Sequence, residues 1–311
     1  MSETVLAALQ LVLLVALAPG LSGAIKRAKA WLQGRQGPPV TQPYFDVLKL
    51  LRKDSVVSEH STAITRAAPM VYAAAFMAAA LLAPSAWIPA PLGGAGDAIA
   101  IVGLFAVARF ALALAGLDTG SAFGGMGASR DVAVAALAEP VLMLAIFAVA
   151  FRTGTVDLSG GAAWIAAHPG DALAPSQLLA LAALFIAVIA ETGRVPADNP
   201  DTHLELTMIH EGMLLEFSGR PLGILVWATQ LKQVVLFCML LALFAPFGLA
   251  TSVAEVPLAI VVFIAKLVAL GLFMALIESS NAKLRILRVP QLLGAATTLA
   301  VLAIVAEVFL G

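Results

Sequence analysis

Apolar residues along this chain come in long unbroken runs, without the period of a half-buried helix or the alternation of a half-buried strand. Crossing about 30 Å of hydrocarbon takes about 20 apolar residues in a helix. Runs of that size lie near 4–25, 66–89, 98–117, 132–151, 174–193, 222–245, 256–277 and 290–310. Proline and glycine punctuate the gaps, as in Pro89-Ala90-Pro91-Leu92-Gly93-Gly94 and Ala245-Pro246-Phe247-Gly248. A bilayer offers backbone groups no water, so each run is predicted to be helical. The expected fold is all-α, a polytopic membrane protein of about eight transmembrane helices making one integral membrane domain over residues 1–311.

Two polar stretches break this pattern. Tyr44, Phe45, Val47, Leu48, Leu50 and Leu51 are interleaved with Asp46, Lys49, Arg52 and Lys53. That spacing suits an amphipathic helix lying at the membrane surface or under a partner protein. Between Glu191 and Arg220, the carboxylates Glu191, Asp198, Asp201, Glu205, Glu211 and Glu216 stand among apolar side chains. If the segment is helical, Leu204, Ile209, Met213 and Phe217 mark a partly buried stripe. Acids held in low dielectric exchange protons near neutral pH, and with His203 and His210 among them they could relay protons. A solvated acidic face is the plainer reading, and the admixture of buried-type residues weighs against it.

Charge adds an orientation. The loops after the first, third, fifth and seventh runs, residues 26–65, 118–131, 191–221 and 278–289, hold most of the lysines and arginines, whereas the opposite loops carry only Arg152. The basic loops are therefore expected in the cytoplasm and both termini on the outer side. Lys26, Arg27 and Lys29 follow the first run instead of preceding it, so that run reads as a retained span and not a cleavable signal. With 61% hydrophobic and 12% charged residues and a mean hydropathy of +0.99, against about 25% charged in soluble domains, few charges remain to form a patch for nucleic acid.

Candidate chemistry is confined to a few side chains. The single cysteine, Cys238, cannot form an internal disulfide, a zinc site or an iron–sulfur cluster, so any redox centre is expected in a partner. No metal-ligand spacing, nucleotide fingerprint or nucleophile motif occurs, and neither a metal ligand nor a catalytic residue is expected. The glycine-rich Gly124-Gly125-Met126-Gly127 is expected to serve tight backbone turning in a re-entrant or packed loop. Arg109, Glu139, Lys232, Lys266 and Glu278 lie within or at the ends of apolar runs, where a charge is a functional candidate that needs a partner. For Arg109 and Lys232, snorkelling to the interface competes with that reading. A short carboxylate such as Glu139 cannot snorkel far. Glu307, near the outer chain end, is expected to be solvated.

At these residues a family resemblance emerges. Gln33-Gly34-Arg35-Gln36-Gly37-Pro38-Pro39 and Gln42-Pro43-Tyr44-Phe45-Asp46-Val47-Leu48-Lys49-Leu50 resemble the first cytoplasmic loop of the subunit-1 (H-type) family of respiratory NADH:quinone oxidoreductase. Glu191-Thr192-Gly193-Arg194-Val195-Pro196-Ala197-Asp198 resembles that family's Glu-x-x-Arg-x-Pro-x-Asp signature, and Glu205 to Gly219 its glutamate-rich segment. Three further stretches resemble the hydrogenase branch, the membrane subunit of formate hydrogenlyase and hydrogenase-4 complexes. They are Arg109 to Gly120, Gly127-Ala128-Ser129-Arg130, and Thr202 to Glu211. The quinone-reducing branch usually has a shorter acidic segment and other residues in place of Leu117-Asp118-Thr119-Gly120.

The resemblance implies a non-catalytic membrane subunit of an oxidoreductase complex in the bacterial or archaeal cytoplasmic (inner) membrane. It implies as partners a nickel–iron hydrogenase-like large subunit, an iron–sulfur small subunit, antiporter-like membrane subunits and membrane lipid. No cofactor is implied in this chain, the nickel–iron centre and iron–sulfur clusters belonging to partners. Carried over by motif, Glu139, Glu191, Arg194, Asp198, Glu205, Glu211 and Glu216 are the expected proton-coupling residues. Arg35, Asp46, Lys49, Arg109, Asp118 and Arg130 are expected to shape a cavity or dock the redox arm. A quinone-site subunit of a proton-pumping NADH dehydrogenase-like complex is the alternative. A third class, an independent secondary transporter, would show inverted repeats and broken mid-membrane helices, and neither is visible in the sequence.

Overall fold

The computed structural model describes residues 3–93, 97–198 and 208–310. Its helices are α1 (Glu3–Leu32), α2 (Gln42–Arg52), α3 (Ala63–Leu82), α4 (Ala98–Asp118), α5 (Ala122–Thr153), α6 (Leu158–Ala167), α7 (Pro175–Glu191), α8 (His210–Leu214), α9 (Gly219–Phe244), α10 (Val256–Ser280) and α11 (Val289–Leu310). Seven of them, α1, α3, α4, α5, α9, α10 and α11, are long and apolar enough to cross a membrane. The remaining apolar run, the fifth at 174–193, forms α7, which at 17 residues is shorter. The polytopic all-helical architecture expected from the runs is what the chain adopts.

Contacts between loops reveal two ends. At one, Ser85 donates to Gln10 and Asp97 bridges to Asp157, while Ile88 N–H bonds Ala250 and Arg152 pairs with Glu307. At the other, Thr62 bonds Asp118, Val56 bonds Ser218, Lys29 meets Glu278 and Leu284 N–H bonds Pro196. The basic loops thus share one end and the remaining loops the other, as alternating helices require. Glu307, expected to be solvated, is instead drawn in by Arg152 Nη1 at 2.9 Å and Ser176 Oγ at 2.6 Å. Arg152, in the last turn of α5, supplies the charge that the sequence position of Glu307 could not announce.

The largest departure from expectation lies at 118–131, read as a loop. Helix α5 already starts at Ala122, capped by Ser121 Oγ accepting from Gly124 N–H at 3.0 Å, so little more than Thr119 to Ser121 remains as connector. The glycines serve contact, not turning. A Cβ on Gly127 would lie 3.0 Å from both Ile209 O and Met213 N, and one on Gly212 would lie 3.3 Å from the Gly127 Cα. Only bare backbone lets α8 press this closely on α5. Arg130 fastens the approach by donating to Met208 O at 2.9 Å. Ile209, Met213 and Phe217 are buried as the expected stripe requires, whereas His203, Leu204 and Glu205 lie outside the described residues.

The amphipathic stretch is helical too. Helix α2 buries Pro43 and Val47, and the bare Gly223 of α9 admits Leu50 and Leu51. Phe45 and Leu48 point outward and stay exposed. At the opposite end, Gln10 is fully buried and closes the last turn of α3, donating to Ala80 O at 2.7 Å and Ala83 O at 2.9 Å. Gln10→Leu leaves those carbonyls without a donor, at a cost of about 1–3 kcal/mol. The expected result is a lower thermal midpoint for the purified protein in detergent. An unchanged midpoint would contradict this closure.

Candidate functional site

The charges carried by the apolar helices do not reach for the interface; they meet one another. Arg109 of α4 turns inward, with only 10% of its side chain exposed. Its Nη1 bonds the Glu139 carboxylate of α5, its Nη2 lies 2.5 Å from Glu191 Oε2 of α7, and its Nε lies 3.4 Å from Asp131 Oδ2 of α5. Glu191 Oε2 also takes Lys232 Nζ of α9 at 2.8 Å. Isolated, each of these charges costs about 2.5–3.5 kcal/mol at the centre of a membrane helix. Mutual pairing offsets much of that cost, and snorkelling is excluded for both cations. The group sets three carboxylates against two cations, so it is one proton short of neutrality. Glu191 Oε1 is buried with no hydrogen-bond partner among the described residues.

Toward the basic-loop end a second ionic group begins where α7 stops. Gly193, at φ +58°, takes the left-handed conformation that ends a helix. Gly193 N–H bonds Ala190 O and Arg194 N–H bonds Ile189 O, both at about 3 Å. This turn throws Arg194 back across the bundle, Nη1 to Glu278 Oε1 at 3.1 Å and Nη2 to Gln233 Oε1 at 2.7 Å. Lys29 lies 3.3 Å from the other Glu278 oxygen, and Lys283 holds Asp198 at 2.8 Å.

Arg194, Glu278, Gln233, Lys29 and Asp198 face a cavity of about 330 Å³ that also takes in His210, Glu211 and Gln230, with the exposed Lys26 among its lining. Gln230 Oε1 and Gln233 Nε2 are buried without partners among the described residues, the kind of polar lining that ordered water satisfies. A smaller void of about 30 Å³ adjoins it, lined by Tyr72, Asp131, Glu191, Lys232 and His210 among others. His210 and Asp198 border both spaces. Burial pushes the His210 imidazole below the ordinary histidine value, against the pull of the Asp131 carboxylate.

The structure therefore brings Glu139, Glu191 and Arg109 into one network and sets Arg194, Asp198 and Glu211 around the adjoining cavity. It puts others elsewhere. Glu216 accepts a hydrogen bond from Ser121 at the start of α5. Asp118 caps α3, accepting from Thr62 N–H at 2.7 Å and from Thr65 Oγ1 at 2.6 Å. Arg35, Asp46 and Lys49 are exposed on the first basic loop and α2. Lys266 donates to Ala245 O and Phe247 O at 2.9 and 2.8 Å. Its charge thus closes the carbonyl end of α9 and joins neither network. Glu205 lies outside the described residues. Asp131 and Gln233 join the site although nothing singled them out in the sequence, and Lys29 and Lys283 counted there only as loop charge. Asp131 is adjacent to Arg130 in the stretch read as loop, which hid its place on a membrane helix.

Comparison with known proteins gives consistent matches. A family model described as NADH dehydrogenase matches residues 4–309. Formate hydrogenlyase subunit 4 of Escherichia coli is 38% identical over 299 residues, covering 96% of this chain and 96% of that protein. Hydrogenase-4 component C of the same organism is 33% identical over 296 residues, covering 94% of this chain and 92% of that protein. A chain from the membrane-bound sulfane sulfur reductase (MBS), an archaeal respiratory membrane complex, shares the fold. Its TM-score is 0.82 at 21% identity, with 99% of this chain and 100% of that chain covered.

Proposed function

We propose, given that this chain belongs to the NADH dehydrogenase family, that it is the membrane-anchoring and proton-coupling subunit of an energy-converting hydrogenase or formate hydrogenlyase-type complex. Its expected place is the bacterial or archaeal cytoplasmic membrane. The full-length similarity to two subunits named for such complexes supports the assignment. The observation that carries the proton role is the buried group of three carboxylates on two cations beside a polar cavity.

In this reading the partners are a nickel–iron large subunit, an iron–sulfur small subunit and antiporter-like membrane subunits. The outward face of α2, with Phe45, Leu48 and Lys49, would receive the arm. An iron–sulfur cluster needs about four thiolate ligands. The chain has one thiol, Cys238, buried in α9, so its residues do not fit a cluster, which a partner would hold.

The chain's own residues answer charge that changes on the docked arm. At an effective dielectric constant of about 20, a unit charge added about 12 Å away changes the free energy of a carboxylate's protonation by about 1.4 kcal/mol. That is roughly one pKa unit. Lys29, Arg194 and Glu278 around the cavity feel such a change first. The carboxylates on Arg109 follow, because they are one proton short and a proton can move among them without breaking the fold. Glu139 is the least enclosed of the three, with 28% of its side chain exposed, and it is the group best placed to pass a proton toward a neighbouring membrane subunit.

A tagged chain purified from its native membranes in mild detergent tests the assignment. The expected preparation contains nickel and iron, evolves hydrogen, and includes antiporter-like subunits. A chain that purifies alone, or with a quinone-reducing complex lacking nickel, would overturn it.

A further inference from the structure

The contact between the two voids has a definite hydrogen-bond polarity. Thr229 of α9 donates its one hydroxyl proton to Leu225 O at 2.9 Å. Its oxygen therefore accepts from both remaining neighbours, Tyr72 OH and His210 Nε2, each at 3.3 Å. Neutral His210 thus carries its proton on Nε2 and presents the bare Nδ1. That nitrogen lies 4.0 Å from Asp131 Oδ1. Two acceptors face each other across a gap too long for a direct hydrogen bond and suited to a bridging water or an incoming proton. The smaller void lies beside this pair. The charged groups around the ring are Asp131 from α5, Lys232 from α9, Glu211 on α8 itself and Asp198 from the turn after α7. Helix α8, which carries the ring, is held against α5 by the Gly127–Gly212 contact and by Arg130.

We propose that His210 carries protons from the cavity to the buried carboxylates, taking each one at Nδ1 and releasing it to Asp131. This inference rests on the proton-coupling reading and names its route. The balance is simple. A proton from solvent, delivered as hydronium or through a cavity water that is itself reprotonated from solvent, adds to Nδ1, and the ring becomes an imidazolium still bonded through Nε2–H to Thr229. A small pivot about that bond turns Nδ1–H toward Asp131, which accepts the proton directly or through a water and restores the neutral Nε2–H ring. From Asp131, at 3.4 Å from Arg109 Nε, the proton joins the group shared by Glu139 and Glu191. Asp198 borders the same two spaces, but its carboxylate is engaged by Lys283.

The test uses the assembled complex in liposomes, following hydrogen evolution and proton movement. His210→Gln keeps a donor for Thr229 and removes the titratable nitrogen. Coupled turnover is expected to fall about 100-fold, the scale of a lost general acid–base group. Imidazole in the buffer is expected to restore part of it in proportion to its concentration, because the cavity admits a ring of that size. Thr229→Val, which frees the tautomer, is expected to shift the pH profile of turnover with a smaller loss. A loss in His210→Gln without imidazole rescue means a structural role and overturns the proposal. Wild-type turnover in His210→Gln while Glu191→Gln is impaired overturns this route alone. Wild-type coupling in both variants overturns the proton-coupling reading itself.

Discussion

Arg109→Leu is expected to keep the protein from accumulating in its assembled form. Among the described residues, the guanidinium is the only group that touches Asp131, Glu139 and Glu191 together. Without it, three carboxylates converge on Lys232, which bonds Glu191 alone among them. Removing one partner from a buried ionic group costs about 3–5 kcal/mol, because the remaining charge is left uncompensated. Set against a typical folding stability of about 5–15 kcal/mol, that is a third or more of the total. Taking up protons to neutralise the acids relieves the strain only by abolishing the exchangeable charge. Arg109→Lys separates the two roles. A single ammonium keeps the charge but cannot span three carboxylates from one side chain, since it lacks the planar fork. It is expected to accumulate to near wild-type levels with coupled turnover at least about tenfold lower, the factor that about 1.4 kcal/mol of misplaced charge represents. Native gels of membranes give assembly, and hydrogen evolution gives turnover. A leucine variant that assembles and turns over like wild type would dissolve the network as a functional unit.

How far such a network can be read from sequence depends on the range of the forces that build it. The helices were legible because lipid enforces a local rule, about 20 apolar residues per crossing, and α2 was legible because its mixed spacing is also local. The start of α5 departs from the sequence expectation for a reason that is not local. Gly124-Gly125-Met126-Gly127 carries little helical preference, yet it becomes helix because α8 needs the bare backbone of Gly127 against its own Gly212. The acidic stretch shows the same limit. Six carboxylates in one segment suggested one device, but three of the described ones have separate partners. Glu191 sits with Arg109 and Lys232, Asp198 with Lys283, and Glu216 with Ser121. Partner choice across 82 residues, as for Arg109 and Glu191, is decided by which helices pack together. Lys232 shows this most clearly: at mid-helix, snorkelling and pairing were equally open until α7 was placed beside α9.

Glu191→Gln brings the second large effect, and it distinguishes a counter-ion from a proton carrier. The substitution preserves shape but removes the carboxylate that Arg109 and Lys232 share. The group then lacks the one carboxylate that both cations contact, the titratable oxygens at its centre, so the exchange that couples it to the cavity is lost. Coupled turnover is expected to drop on the order of 100-fold, as when an acid–base group is deleted. Stability falls as well, by about 3 kcal/mol, because Lys232 is left buried without its carboxylate. Adding Lys232→Met removes that stranded charge and replaces the ammonium stem with an apolar chain of similar length. In the double variant the thermal midpoint is expected to return most of the way to wild type while turnover stays low. Stability is then restored because no buried ammonium is left without a partner, whereas proton exchange needs a titratable oxygen at position 191. If the double variant regains both midpoint and coupled turnover, Glu191 is no more than the partner of Lys232, and the proton passes through this bundle by other groups.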